Sequence, residues 1–224
     1  MGIILNIETA TTNCSVSVAR NGKLLAVKEL DTPSYSHSEQ LHVFMQAVLK
    51  QASIELSDLD AIAVSKGPGS YTGLRIGVSA AKGLSFALDV PLISIPTLES
   101  MAQQAINGRE DFIIPVLDAR RLEVYSAVFD KHGTVIRETL AEIIDEHAFE
   151  AYAKKGKVLL LGSGAQKCLE LIEHPNVRFD TSAVPSAVEM APLSHLKFMA
   201  DDFEDVAYFE PYYLKDFFLQ SKKK

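Results

Sequence analysis

The apolar positions of this chain switch between two periods, and each switch marks an element. Residues 3–7 (Ile-Ile-Leu-Asn-Ile) form a short apolar run that reads as a buried strand. Residues 14–19 alternate small polar with apolar side chains, as a half-buried strand does. Asn21-Gly22 follows, a pair that accepts positive φ at both positions of a hairpin turn, and residues 24–30 make the return strand. The period then becomes helical. Leu41, Phe44, Met45, Val48 and Ala52 recur at three- and four-residue spacing, with Ser36 or Ser38 as the cap. Residues 61–65 predict a strand, 72–88 a second helix and 91–95 a fifth strand, and a third helix starts near Thr97. The second half predicts strands at 113–117, 123–129 and 134–139, the last two joined by a turn at His132-Gly133. A helix at 145–155, a strand at 158–161, a helix at 166–173, a short strand at 177–179 and a helix at 186–200 complete it.

The first half therefore reads β-β-β-α-β-α-β-α, and the second repeats that order more faintly, which points to duplication. By analogy of element order, this is the ribonuclease-H-like arrangement. Two such lobes side by side give an α/β protein of actin, Hsp70 and sugar-kinase type, with mixed sheets. The predicted boundary lies near 107–111, where Gly108 and a short charged run interrupt the pattern. That division gives an N-terminal lobe at 1–107 and a C-terminal lobe at 108–224.

Composition narrows the function classes. The 224 residues are 47% hydrophobic and 23% charged, ordinary for a globular chain. A net charge of -7 makes the chain a poor main RNA-binding surface, since such surfaces carry excess positive charge. The terminal Lys222, Lys223 and Lys224 read as a solubilising tail. Cys14 and Cys168 stand one in each half, away from any Cys/His cluster. This argues for a reducing compartment, the cytoplasm, and against a zinc site. The best apolar stretch, 77–95, is interrupted by Lys82, Asp89 and Pro91, so no membrane span is expected. The N-terminus lacks the basic segment of a signal peptide.

Several segments could carry chemistry. In actin-like ATPases, turns after the first strand of each lobe cradle phosphates, and acids at those strand ends position magnesium. Here the corresponding segments are Glu8-Thr9-Ala10-Thr11-Thr12 and Asp118-Ala119-Arg120. Glu8, Thr9, Thr11 and Asp118 thus mark a possible vestigial nucleotide cleft. The hydroxyls could hold an anion or satisfy their own backbone, and the first loop has no glycine to admit a phosphate. The run Gly67-Pro68-Gly69-Ser70-Tyr71-Thr72-Gly73-Leu74-Arg75 lies between a strand and a helix. Its spacing is not a dinucleotide fingerprint, and no Lys-Ser/Thr pair follows a glycine. Chemistry alone favours a tight packing turn over a phosphate site.

The helix that this turn starts is rich in small residues, Gly73, Gly77, Ser79, Ala80, Ala81, Gly83, Ser85 and Ala87 among them, and Arg75 and Lys82 are its only charges. A helix apolar all round is covered on more than one side. The preceding helix adds Val43, Ala47 and Leu49 to its core stripe. Such excess suggests a protein interface, which we favour over cover by the second lobe. The residues assigned to that interface are Leu41, Met45, Val48, Leu49, Arg75, Gly77, Ala80, Ala81 and Leu84. The six histidines (37, 42, 132, 147, 174 and 195) include no pair three or four apart, so no helical metal site is expected. No nucleophile elbow is present, and Ser36-His37-Ser38-Glu39 cannot fold into a triad of neighbours.

The glycine run, continued through Ile76 and Gly77, closely resembles the signature of the TsaB (YeaZ) family. Residues 7–11 (Ile-Glu-Thr-Ala-Thr) resemble that family's opening strand and loop, with Glu where many members have Asp. His37 stands where members often have histidine. Asp118-Ala119-Arg120, followed by Glu123-Val124-Tyr125, resembles the start of the family's second lobe. Pro211-Tyr212-Tyr213-Leu214-Lys215 is similar to its C-terminal motif, with Lys for Arg. The resemblance covers most of the chain. It implies a non-catalytic scaffold in synthesis of threonylcarbamoyladenosine next to the tRNA anticodon. The implied partners are TsaD, the actin-like transferase subunit, and TsaE, a P-loop ATPase. It further implies a homodimer in isolation, ATP used by the complex and tRNA met only through it. TsaD carries a metal-binding histidine pair that this chain lacks. The alternatives are an independent actin-like ATPase or small kinase, supported by Glu8 and Asp118, and a protease, which no residue pair supports.

Overall fold

The computed structural model describes residues 2–33 and 36–214. Ser34, Tyr35, Lys215 of the C-terminal motif and the Lys222–Lys224 tail lie outside the described residues. Each half builds a five-stranded mixed sheet. The first contains β1 (Ile3–Glu8), β2 (Asn13–Arg20), β3 (Lys23–Asp31), β4 (Ala61–Gly67) and β5 (Leu92–Pro96), in the order β3-β2-β1-β4-β5. The second contains β6 (Phe112–Asp118), β7 (Glu123–Asp130), β8 (Val135–Ile143), β9 (Val158–Leu161) and β10 (Val177–Asp180), in the order β10-β9-β6-β7-β8. Read from the hairpin edge, the two orders are the same. In both sheets the first three strands pair antiparallel and the last two join in parallel. The repeated pattern in the sequence is therefore a repeated topology.

The alternation along β1 sets the two faces of the first sheet. Leu5 and Ile7 join Val16, Val18, Ile62 and Val64 beneath α1 (His37–Ala52) and α2 (Tyr71–Leu88). Ile4 turns the other way and meets Ala61, Ala63, Ile93 and Ile95 under α6 (Ala187–Met199). In the second sheet, α4 (Glu150–Ala153) and α5 (Ala165–Leu171) cover one face, and α3 (Thr97–Ala102) covers the other. The last helix of each half thus packs on the sheet of the other half. The first sheet ends at Pro96 and the second begins at Phe112, and the closing helices cross between them. Neither half closes its own core.

Most helix ends fall where the sequence places them. Ser70 and Ser186 cap α2 and α6, their hydroxyls accepting from Gly73 and Val188. Ser36 stands at the α1 N-cap, but its hydroxyl makes no capping bond. The helix expected at 145–155 shrinks to Glu150–Ala153, because Phe149 is left-handed (φ 62) and Asp145 instead accepts the His147 N–H in a turn. α3 is also short and runs into a single 3-10 turn at Gln103–Ala105.

Candidate functional site

The loop after β1, the possible phosphate cradle of the first lobe, is packed on its own helix. It lies on the N-terminal turns of α2. A methyl added at Gly69 would overlap the Ala10 carbonyl, one at Gly73 the Thr9 carbonyl, and one at Gly77 the Thr9 hydroxyl. Gly73 and Gly77 stand four apart on one face of α2, and Gly69 lies just before that helix; together they let a loop settle where side chains would hold it off. Ser70 donates its N–H to the Ala10 carbonyl at 2.7 Å, which ties the two segments together. His37, at the start of α1, places Nε2 2.7 Å from the Thr11 carbonyl oxygen. Burial holds its pKa below the usual histidine range.

Glu8 and Thr9 are fully buried. Glu8 accepts from the Ala10 N–H at 2.6 Å and from the Ser65 hydroxyl at 2.7 Å, both at Oε1. Desolvation raises its pKa from 4.5 to about 7, against the lowering effect of those bonds. Thr11 is half-buried at the loop's rim. At the matching place in the second lobe, Asp118 Oδ1 accepts from Lys167 at 2.5 Å and from the Arg120 N–H at 2.6 Å. The two acids that could flank a nucleotide are thus engaged: one is buried against a serine, the other is paired with a lysine. Among the described residues, no group of three His, Cys, Asp or Glu is placed to hold a metal ion.

The predicted partner residues divide sharply. Leu41, Met45, Val48, Leu49, Gly77 and Ala81 are buried within the chain, five of them in the core beneath α1 and α2 and Gly77 against Thr9. They hold the lobe together and offer a partner no surface. Arg75, Ala80 and Leu84 instead line an open groove of about 810 Å³ between α1 and α2. Ile76, Ser79 and Gly83 line it with them. Phe86, on the same helix, is 84% exposed. Period-3.6 counting found the helices but could not tell the buried stripe from the open one, because both consist of small and apolar residues.

The C-terminal segment frames one side of this surface, which the sequence reading did not anticipate. Lys82 donates to the carbonyls of Ala207 and Phe209 at 3.2 and 2.9 Å. Tyr212 donates its N–H to the Lys66 carbonyl at 2.7 Å, and Arg75 Nε donates to the Tyr213 hydroxyl at 3.2 Å. Gly67, at φ +108, makes room for this crossing, since a side chain there would meet the Tyr212 carbonyl at 2.8 Å. The signal was present: the only two charges on α2 are seven apart and share a face.

Fold and site together define a two-lobed actin-like protein whose first loop packs on its own helix and whose surface carries an open groove between two helices. The family model described as TsaD, tRNA N6-adenosine threonylcarbamoyltransferase, matches residues 32–215. A relative from Escherichia coli K12, named tRNA threonylcarbamoyladenosine biosynthesis protein TsaB, is 32% identical and is covered over 94% of its length by 95% of this chain. A Pseudomonas aeruginosa structure, described as an uncharacterized protein with similarity to peptidase YEAZ, superposes with a TM-score of 0.86 at 25% identity, over 96% of this chain and all of that one. The ethanolamine utilization protein EutJ of Carboxydothermus hydrogenoformans, at TM-score 0.52 and 10% identity over 85% of this chain and 89% of its own, shares the fold. The chain belongs to the TsaB family, within the wider family that the TsaD model describes. No helix among the described residues is long and apolar enough to cross a membrane.

Proposed function

We propose that this chain is a non-catalytic scaffold for threonylcarbamoyl transfer to the tRNA adenosine next to the anticodon. It docks the catalytic subunit TsaD in the α1–α2 groove. The observation that carries this reading is Gly83. A methyl there would meet none of the described residues within 4 Å, so no described neighbour requires glycine. An exposed mid-helix glycine costs about 1 kcal/mol relative to alanine. Gly73 and Gly77 offset that cost by admitting Thr9 of the loop after β1; Gly83 gains nothing from the described residues. A second helix approaching closely across the groove supplies the reason.

The packed loop and the Asp118–Lys167 pair support a non-catalytic role. ATP is then used by the assembly, with TsaE as its third component, and tRNA is met through the complex. A weaker homodimer forms through the same groove when TsaD is absent. The test is reconstitution. The chain alone should transfer nothing and should co-elute with TsaD, and Gly83→Leu should remove co-elution while leaving the chain folded. Transfer by the isolated chain, or turnover of magnesium-ATP by it, would instead make it an enzyme of the kinase type.

A further inference from the structure

Arg75 is the guanidinium at the groove, and the chain holds it in place. Its Nε donates to the Tyr213 hydroxyl at 3.2 Å. Its Cζ lies 4.1 Å from the centre of the Tyr71 ring. Tyr71 in turn packs on Tyr213, with ring centroids 5.0 Å apart. The backbone beside Tyr213 is anchored by the Tyr212 N–H to the Lys66 carbonyl. An arginine held by these contacts is restricted in orientation before any partner arrives.

That fork still has donors to offer. A guanidinium carries five N–H groups, and Tyr213 takes the one on Nε. Among the described residues, nothing accepts from Nη1 or Nη2. Glu210 acts on Arg75 through space but forms no ion pair with it. The residues lining the groove include Arg75, His37 and His42 and no Asp or Glu. In a chain of net charge -7, Arg75 thus stands at the groove with no acidic side chain in the lining. Two parallel N–H bonds from a guanidinium match the two oxygens of a carboxylate. A second copy docked groove to groove would supply no carboxylate from its own lining and would bring two Arg75 side chains into one interface.

We infer that Arg75, positioned by Tyr71 and Tyr213, receives a carboxylate from the helix of TsaD that docks in this groove, and that this pair makes the groove prefer TsaD to a second copy of the chain. The inference rests on the groove being the TsaD docking face. Calorimetric titration with TsaD from the same genome, at low and at high salt, tests it. Arg75→Gln should weaken binding by about tenfold and flatten its salt dependence. Arg75→Lys should not restore it, because the fork and the stacking are lost. Tyr213→Phe keeps the ring and removes the hydroxyl; it should weaken TsaD binding by roughly threefold without lowering the melting temperature. Self-association of Arg75→Gln, measured by sedimentation, should be unchanged or tighter. If Arg75→Gln binds TsaD like the parent while Gly83→Leu does not bind, the carboxylate receptor is wrong and the groove reading stands. If Gly83→Leu binds TsaD unchanged, the groove reading falls and takes the inference with it. If Arg75→Gln loses self-association by the same factor as TsaD binding, the preference for TsaD is wrong.

Discussion

Gly73 lies directly under Thr9: a methyl on that glycine would overlap the Thr9 carbonyl oxygen. The obstacle is backbone, and Thr9 is held in turn by its neighbours, Ala10 on Ser70 and Thr11 on His37. Gly73→Ala therefore cannot be relieved by turning a side chain. Overpacking of this kind costs about 1–3 kcal/mol, which exceeds the roughly 1 kcal/mol that alanine gains in helix propensity. Urea unfolding should show Gly73→Ala less stable by about 1 kcal/mol net. Gly77→Ala should lose less, because its obstacle is the Thr9 side-chain hydroxyl.

Gly83→Ala should go the other way. Its added methyl enters open space, so the isolated chain should gain up to about 1 kcal/mol. The same methyl sits in the groove, so affinity for TsaD should fall as stability rises. Opposite signs in a melting curve and a binding isotherm, from one variant, would separate a docking glycine from a neutral one. A Gly83→Ala chain that is both stabler and equally tight-binding would show that no helix packs closely there.

The strands were legible because each has one buried face or two, and that alternation survives in the letters. Asn21-Gly22 placed the first hairpin, and Asn21 does adopt positive φ, at 52°. What could not be read was which half a helix serves. Nothing in residues 187–199 says that Met190 packs on Ile93 rather than on the nearer second sheet. Such a choice is made by chain geometry over long separations. The signature turn was legible as a turn, but the letters do not separate Gly69, Gly73 and Gly77, pressed by Ala10 and Thr9, from Gly83 further along α2, which faces open space. Glu8 looked like a strand-end acid at a magnesium site, because the sequence does not show the Ser65 hydroxyl or the burial that engages it.

Lys82 holds the C-terminal segment against α2, and its removal should loosen that segment before the rest. The ammonium donates to two carbonyls flanking Tyr208, and nearby Phe209 is buried in the core beneath α2. Hydrogen bonds from charged donors contribute about 1.5–3 kcal/mol, and partial exposure of this site brings the expected loss in Lys82→Met to about 1 kcal/mol. The informative measurement is hydrogen exchange. The amides of Glu204 and Tyr212, which bond to the Leu92 and Lys66 carbonyls, should exchange roughly tenfold faster. Amides of β1 and β4 should keep their rates. Uniform acceleration would mean that the segment unfolds only with the whole molecule.

Glu8 gives the chain a pH dependence of definite sign. Burial raises its carboxyl from 4.5 to about 7 in the folded protein, whereas the unfolded chain keeps the ordinary value. Between those two pH values the folded state binds more protons than the unfolded one, so stability falls as pH rises. The contribution is fully present below pH 4.5 and is lost once pH passes about 7. Glu8→Gln keeps an oxygen for the Ala10 N–H and the Ser65 hydroxyl but cannot ionise. Its stability relative to the parent should therefore climb across this window, reaching an advantage of the order of 2–3 kcal/mol near pH 8. Chemical unfolding of both proteins at pH 5 and pH 8 measures it. A difference that stays constant between the two conditions would mean that Glu8 ionises in the folded state as easily as in water, and that its burial does not control it.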